Sequence, residues 1–488
     1  MSEKPALVVG DRSQTFGELD ERSDRLAVVL EQRGARPGAP VAAVLPNGIE
    51  FFEVSMAASK LGLGFLPVNW HLKGDEVAYI VGDAGVSVAV ASEAVAGVPT
   101  VVVGDDAVDS DSYETALAAA DGAPARDRAA GPALVFYTSG TTAKPKGILL
   151  EGFDRERMRM GMEGQIALWG WTADDVHLLC GPAYHAGPCG WTHAALYIRA
   201  TTVIMPAWDA RRWLRLVQQH RVTRAFMVPA HFIRLLEVPE EERARYDLSS
   251  LRLIVHGAAP CPVPVKRRMI EWLAPLGCEI HELYGASEGG ATKIGPAEWL
   301  EKPGSVGRPW PGVEVRVLDE SGARLPADQT GLIYITPMSG RFAYRNDPDK
   351  TAEAWRDDAF TVGDIGHLDV DGYLFITDRK SDMVLWGGVN IAPREVEEVL
   401  YAHPDVVDCA VFGVPDERSG ERLKAMVETR GGSGVSVEEL TAFVSERLAD
   451  YKVPKDWELV HELPRDSVGK VRKRLLRDAH WKDRPTRV

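Results

Sequence analysis

The sequence predicts an α/β fold: a large N-terminal domain of parallel-rich sheets with packed helices plus a small β unit, then a small α+β C-terminal domain. Three observations predict it. Helical and strand-like periodicities alternate through the first third of the chain, the pattern of a parallel sheet with crossover helices. Two loops of small polar residues follow predicted strands, where open α/β sheets bind ligands. After Asp378-Arg379-Lys380-Ser381-Asp382 the character shifts to a compact α+β stretch of about one hundred residues, the size of a separate domain.

The elements follow in order. Residues 15–32 place apolar side chains at Phe16, Leu19, Leu26, Val29 and Leu30, a helical stripe capped by Thr15. Residues 41–45 are an apolar run before the turn Pro46-Asn47-Gly48, so a buried strand is expected. A helix over 49–61 and strands over 64–67, 86–91 and 100–103 continue the alternation. Residues 105–132, rich in Ala, Asp and Gly, read as a connector with one short helix. Residues 208–234 read helix, strand, helix. A strand over 251–255 ends in Gly257-Ala258-Ala259-Pro260, a helix covers 262–273, and a strand over 279–283 ends in Tyr284-Gly285-Ala286-Ser287-Glu288. The β-rich stretches 313–318 and 331–336, bounded by Gly and Pro, give the small β unit. Helix 393–401, strand 406–414 and helix 437–449 then lead to a basic end.

Composition narrows the function. The chain has 488 residues and a formal net charge of -15, an acidic balance that argues against non-specific nucleic-acid binding. Cys180, Cys189, Cys261, Cys278 and Cys409 are scattered without a CxxC pair, which fits reduced thiols and neither a disulfide framework nor a zinc site. The N-terminus shows no apolar signal core, and no apolar run approaches a membrane span. The expectation is a cytoplasmic enzyme with no membrane span; a homodimer is the default assembly.

One loop carries the most chemistry. Residues 133–136 read as a buried strand, and Tyr137-Thr138-Ser139-Gly140-Thr141-Thr142-Ala143-Lys144-Pro145-Lys146-Gly147 follows it. Glycines let a backbone approach a phosphate, successive amides form an anion nest, and hydroxyls and lysines add donors and charge. No Gly-Lys-Ser or Gly-Lys-Thr opens a helix here, so it is not the Walker pattern. In Tyr284-Gly285-Ala286-Ser287-Glu288 a ring is available to stack on a base and a carboxylate to bind Mg2+; alone, the segment reads as a tight turn with a solvated glutamate. Asp364 sits in a glycine-flanked turn, and a carboxylate accepts both hydroxyls of a ribose. Lys470, in Pro464-Arg465-Asp466-Ser467-Val468-Gly469-Lys470, is by itself one base among several in a solvated tail.

In this order the motifs resemble those of the adenylate-forming (ANL) superfamily, which includes acyl-CoA and aryl-CoA synthetases, peptide-synthetase adenylation domains and luciferases. The resemblance covers essentially the whole chain, and residues 243–266 look like its fatty-acyl-CoA-ligase-like branch. It implies that Thr138, Ser139, Gly140, Thr141, Thr142 and Lys146 hold the phosphates of ATP, with Thr142 also catalytic. It implies that Gly257, Ala258 and Ala259 line the adenine and acyl pocket, that Tyr284, Gly285, Ala286 and Ser287 bind adenine, and that Glu288 binds Mg2+. Asp364 then takes the ribose, and Arg379 the ribose or a phosphate. Gly387 and Gly388 border the pantetheine tunnel of CoA. Lys470 is the catalytic lysine, and His185 borders the acyl pocket, which Trp191 together with His193 narrows. Ser381 is the hinge, dividing domain 1–378 from a mobile domain 383–488 across a hinge at 379–382. Three positions depart from the family: Ala143 for Gly, Ser287 for Thr, and Ser381 for Asp or Lys.

The implied reaction is ATP-dependent adenylation of an organic (fatty or aromatic) carboxylic acid, then transfer to CoA with release of AMP and pyrophosphate. Transfer to a carrier-protein thiol is a variant. A diazotase that activates nitrite for an aromatic amine is an alternative, kept for Ala143, Ser381 and the aromatic-rich region around His185 and Trp191.

Overall fold

The structure is a computed structural model, and it describes residues 3–104, 112–126, 133–138, 145–150, 155–338, 340–466 and 469–482. One sheet is parallel throughout, in the order Thr100–Val102, Val88–Ala91, Val41–Val44, Gly64–Pro67 and Ala133–Leu134. Helix Ile49–Leu61 packs on it, and helix Phe16–Gln32 packs on that helix. The stripe expected on the first helix is buried at every position. Thr15 accepts from the Glu18 backbone and Glu18 reaches back to the Thr15 N–H, a capping box worth about 1 kcal/mol.

The larger sheet changes character part-way across. Pro5–Val9, Thr201–Ile204, Val176–Leu179, Arg224–Met227, Leu253–His256 and Glu279–Ala286 run parallel in that spatial order. Beyond Glu279–Ala286 the ladder becomes antiparallel: Gly289–Ile294, Ser305–Pro309, Leu374–Arg379, Asp364–Leu368 and Gly331–Ile335. The candidate nucleotide residues cluster at this switch. The expected small β unit, Val315–Leu318 with Gly331–Ile335, belongs to this antiparallel part and is joined through it to the parallel strands.

Two other expectations are corrected. Residues 133–136 do not form one buried strand. Ala133–Leu134 pairs with Gly64–Phe65 in the parallel sheet, and the half-buried chain then leaves it so that Phe136–Thr138 can pair antiparallel with Lys146–Leu150. The strand from Glu279 also runs on to Ala286, so Tyr284, Gly285 and Ala286 belong to the ladder and only Ser287 and Glu288 make the turn to Gly289.

The C-terminal domain has its own core, built around Val396, Leu400, Val411, Leu423, Val427, Leu440 and Val444. Its sheet pairs Val384–Trp386 with Val389–Ile391 and with Gly420–Thr429, which lies between Val406–Asp416 and Asp456–Val460. Helix Pro393–Tyr401 packs over it, and helix Val437–Ser445 ends four residues earlier than its sequence suggests. All five cysteines are free and buried. Among the described residues no helix is long and apolar enough to cross a membrane.

Candidate active site

Residues from both halves of the large sheet meet where it switches direction. Tyr284 sits at a bulge near the end of Glu279–Ala286, and its hydroxyl donates to Asp364 Oδ2 at 2.9 Å. Asp364 opens its own strand opposite Arg379 in the ladder, and Arg379 Nε donates to Asp364 Oδ1 at 3.2 Å. One buried carboxylate therefore holds a phenol and a guanidinium. Burial and the Asp364 charge push the Tyr284 phenol well above its ordinary range, so it stays a hydrogen-bond donor.

The glycines here serve packing first. A Cβ on Gly290 would stand 2.2 Å from the Trp310 ring, and one on Gly285 2.7 Å from Gly290 Cα. Gly285 thus lets its strand close up on Gly289 and Gly290, and Gly290 makes room for Trp310. Gly257 follows Leu253–His256, and a Cβ there would lie 2.6 Å from the Leu283 carbonyl oxygen. Ala258 is left-handed at φ 69°, a conformation that costs a non-glycine residue about 1 kcal/mol or more, and Ala258 and Ala259 face out of the core.

Ser287 and Glu288 form the two-residue turn between the partners Ala286 and Gly289. Glu288 is buried, and its Oε1 accepts from the Tyr344 hydroxyl at 2.9 Å. Burial raises its pKa above the ordinary carboxylate value, with the Tyr344 hydrogen bond opposing. A divalent cation would supply the positive charge this carboxylate lacks at hydrogen-bond distance. No group of three or more His, Cys, Asp or Glu that could hold a metal occurs among the described residues. A single carboxylate suits Mg2+, which keeps several waters and takes phosphate oxygens.

Lys146 opens the strand Lys146–Leu150, antiparallel to Phe136–Thr138; its ammonium meets Asp347 Oδ2 at 2.5 Å and lies 5.8 Å from the centre of the Tyr344 ring. Ser139, Gly140, Thr141, Thr142 and Ala143 lie outside the described residues, as does the side chain of Thr138, whose backbone pairs with Lys146.

Lys470 comes from the other domain. It ends a tight turn in which Lys470 N–H donates to Asp466 Oδ1 at 2.9 Å and Asp466 N–H to the Lys470 carbonyl at 2.8 Å. Gly469 adopts φ 84° and docks on helix Pro229–Glu237, where a Cβ would stand 2.9 Å from Ala230 Cβ. Burial, and then the Arg379 charge, lower the Lys470 pKa; Asp466 and Asp364 work the other way. His185 caps helix Ala186–Tyr197, and burial together with the Lys470 charge lowers its pKa to about 4. It is neutral at pH 7. The structure thus gathers Lys470, Arg379, Asp364 and His185, residues far apart in the chain.

Other expected members lie elsewhere. Gly387 and Gly388, at φ 55° and 88°, form the exposed turn of a hairpin with nothing within 4 Å of a Cβ at either. Ser381 lies between a residue tied to the large domain, Lys380 N–H to the Gly363 carbonyl at 2.8 Å, and the C-terminal helix, whose Arg477 donates to the Ser381 carbonyl and Asp382 Oδ1, both at 3.1 Å. Trp191 is buried against Trp169, Trp171 and Phe226. His193 does not narrow a pocket with it: the ring is buried beside Phe52 and Phe65, bonded to Ser55 and, at 2.8 Å, to the Cys189 carbonyl.

Tyr344, Asp347 and Asp466 were not singled out from the sequence. Asn346-Asp347-Pro348 carries a readable helix-start signal, and Asp347 does cap helix Pro348–Ala354, but nothing local says that it meets Lys146.

Comparisons with known proteins agree with this geometry. The family model for AMP-binding enzymes matches residues 1–339, and that for the AMP-binding enzyme C-terminal domain matches 395–470. The chain is 32% identical to a fatty acid–[acyl-carrier-protein] ligase of Streptomyces coeruleorubidus, covering 99% of this chain and 95% of the relative. It is 34% identical to a feruloyl-CoA synthase of an Amycolatopsis species, over 96% and 94%. It superposes on ATP-bound MatB from Rhodopseudomonas palustris with a TM-score of 0.86 and 31% identity, over 99% and 96%; the apo form of that protein gives 0.75.

Proposed function

We propose a two-step acid–thiol ligation for this chain, which belongs to the AMP-binding enzyme family: ATP-dependent adenylation of an organic, fatty or aromatic, carboxylic acid, then transfer to CoA. The observation that supports the proposal most is that Lys470, from the C-terminal domain, is buried within electrostatic reach of Arg379, Asp364 and His185, of which Arg379 and Asp364 are hydrogen-bonded to each other at 3.2 Å.

In the first step the acid carboxylate attacks the α-phosphorus of ATP and pyrophosphate leaves. Asp364 offers its carboxylate to the ribose hydroxyls, and the Tyr284 ring, fixed through its hydroxyl, presents a face to the adenine. The polar segment, through Thr138, Ser139, Gly140, Thr141 and Thr142, cradles the phosphates, and Lys146 exchanges Asp347 for them. Glu288 holds Mg2+, which when bound neutralises phosphate charge. Lys470 stabilises the charge that builds between the acid carboxylate and the α-phosphate, in a buried setting where a cation acts strongly. His185, neutral, borders the acid.

In the second step domain 383–488 turns about the hinge at 379–382, with Ser381 as pivot. Lys470 withdraws, and Gly387 and Gly388 border the path of the CoA thiol, which attacks the carbonyl and expels AMP. The open surroundings of that glycine pair support this role.

A pyrophosphate-release screen across fatty and aromatic acids, with and without CoA, tests the reading. Acid-dependent release, with thioester formed only when CoA is present, is expected. AMP release strictly dependent on nitrite plus an aminobenzoate would overturn it. The carrier-protein ligase among the relatives favours one second reading, a phosphopantetheinylated carrier protein as thiol acceptor. Supplying such a protein in place of CoA decides between the two.

A further inference from the structure

We propose that Arg234 and Glu428 form an interdomain latch that positions the Lys470 turn for the first half-reaction. The proposal rests on the two-step reading above and adds a part to it.

Arg234 lies one turn beyond Ala230 on helix Pro229–Glu237, the helix that receives Gly469. Its Nη1 donates to Glu428 Oε1 at 2.9 Å. Glu428 sits on Gly420–Thr429 of the other domain, with a side chain only 5% exposed. The second Glu428 oxygen accepts the Leu463 N–H at 3.4 Å and stands 3.6 Å from Arg465 Nη2. Arg465 in turn donates to the Gly469 carbonyl at 3.1 Å and pairs with the buried Asp408, which also takes the Tyr401 hydroxyl. An unbroken run of charged and polar contacts thus leads from the large domain, through Arg234, Glu428 and Arg465, to the residue before Lys470.

The arrangement suits a contact that must form and break in every cycle. An isolated buried charge is costly, so a latch with no fallback would lock the domains. Here each partner has one. Arg234 also meets Glu237 on its own helix at 2.9 Å, and Glu428 keeps Arg465 inside its own domain, whereas Glu462, 3.9 Å from Arg234, belongs to the C-terminal domain and leaves with Glu428. Opening therefore removes the Arg234 contacts to Glu428 and Glu462 and leaves neither Arg234 nor Glu428 alone. Arg234 and Glu428 touch no reacting atom; they are positioning residues that act through Arg465.

Two readouts test this on the full chain. Arg234→Met should slow ATP–pyrophosphate exchange about tenfold in kcat, with KM for ATP unchanged, the scale of one lost interdomain ion pair. Thioester formation from a presynthesised acyl-adenylate should hold or quicken. Arg234→Lys should restore exchange in large part. Glu237→Gln, which removes the other partner of Arg234, should leave the ratio of the half-reactions alone. The second readout needs no acid. Spin labels at Ala244→Cys and Glu446→Cys, both exposed and against buried native thiols, report the interdomain distance. Arg234→Met should shift that distribution away from the present arrangement by several-fold. An unchanged ratio of half-reactions, equal losses in both, or an unchanged distance distribution overturns the latch. If the wild type exchanges pyrophosphate with no acid at all, the functional reading falls, and the distance distribution still decides the latch.

Discussion

Ser287–Glu288 and Gly387–Gly388 are both two-residue hairpin turns, and they sit in opposite surroundings. The first is wedged in: Gly290 lies under Trp310, Phe360 packs on Gly289, and Tyr344 holds the Glu288 carboxylate. The second has open space where either side chain would point; two left-handed glycines give the geometry that suits a hairpin, and one tie, Gly387 N–H to the Ser419 carbonyl at 2.8 Å, holds it to a neighbouring loop. A turn that must hold a charged group in one place needs neighbours to fix it. A turn that must enter a cleft only in the second step needs none where it rests. The difference supports the proposed roles, adenylation for the first and thiol transfer for the second, which can be tested one turn at a time.

The largest effect is expected at the wedged turn. Glu288→Gln keeps the shape and removes the charge, so pyrophosphate exchange should fall by about 10²–10³, the loss typical of one electrostatic element of a transition-state site. The Mg2+ concentration needed for half-maximal exchange should rise with it. Equal Mg2+ dependence in variant and wild type would remove Glu288 from the metal site. At the open turn, Gly388→Val adds a side chain that meets nothing in this arrangement and strains φ by about 1–2 kcal/mol. Exchange should stay within about twofold of the wild type, while thioester formation from supplied acyl-adenylate falls about tenfold or more. A fall confined to exchange would reverse the assignment of the two turns.

Lys470, on a third turn, gives an intermediate effect through pH. Exchange needs the ammonium form, and burial with the Arg379 charge lowers the lysine pKa below its ordinary value. Exchange should therefore decline as pH rises through that lowered value, tenfold per pH unit beyond it, at a pH below the usual lysine range. Lys470→Ala should flatten this limb at a low rate. A variant that keeps the wild-type alkaline limb would show that another group sets it.

The sequence makes the alternation of the first domain legible because its strands are short apolar runs punctuated by turn residues, and Val41–Val44 or Gly64–Pro67 form where the pattern places them. Residues 133–136 look like one strand because periodicity cannot tell which partner a strand will choose, and here Ala133–Leu134 and Phe136–Thr138, one residue apart, choose different sheets. The glycines at 285 and 257 look like ligand-approach residues in one dimension. The packing shows a second demand on them: Gly290 lies against Gly285, and the Leu283 carbonyl against Gly257. His193, expected with Trp191 to narrow an acyl pocket, has its ring nitrogens used by Ser55 and a helix carbonyl in the core. Tyr344 and Asp347 were missed for the same reason that the Arg234–Glu428 pair is invisible: each partner lies scores to hundreds of residues away, and no local pattern records the meeting.

The smallest effect tests whether Glu288 is fixed by its neighbour or by its turn alone. Tyr344→Phe removes one hydroxyl and keeps the ring, which packs edge-on against Phe342 at 5.1–5.2 Å in a cluster with Phe360. The lost hydrogen bond to a charged acceptor is worth about 1.5–3 kcal/mol if Glu288 is left without a substitute, and less once a cation is bound to it. Stability of the metal-free protein should therefore fall by about 1–2 kcal/mol in a denaturant titration, and saturating Mg2+ with ATP should recover most of the loss. Exchange at saturating Mg2+ should drop only a few-fold. The Glu288 pKa, raised by burial and eased by Tyr344, should rise further in the variant, so the acidic limb of exchange should move to higher pH. If Mg2+ and ATP restore nothing, the hydroxyl serves the fold and not the metal carboxylate, and the contrast between a wedged turn and an open one reduces to the glycines beneath Trp310.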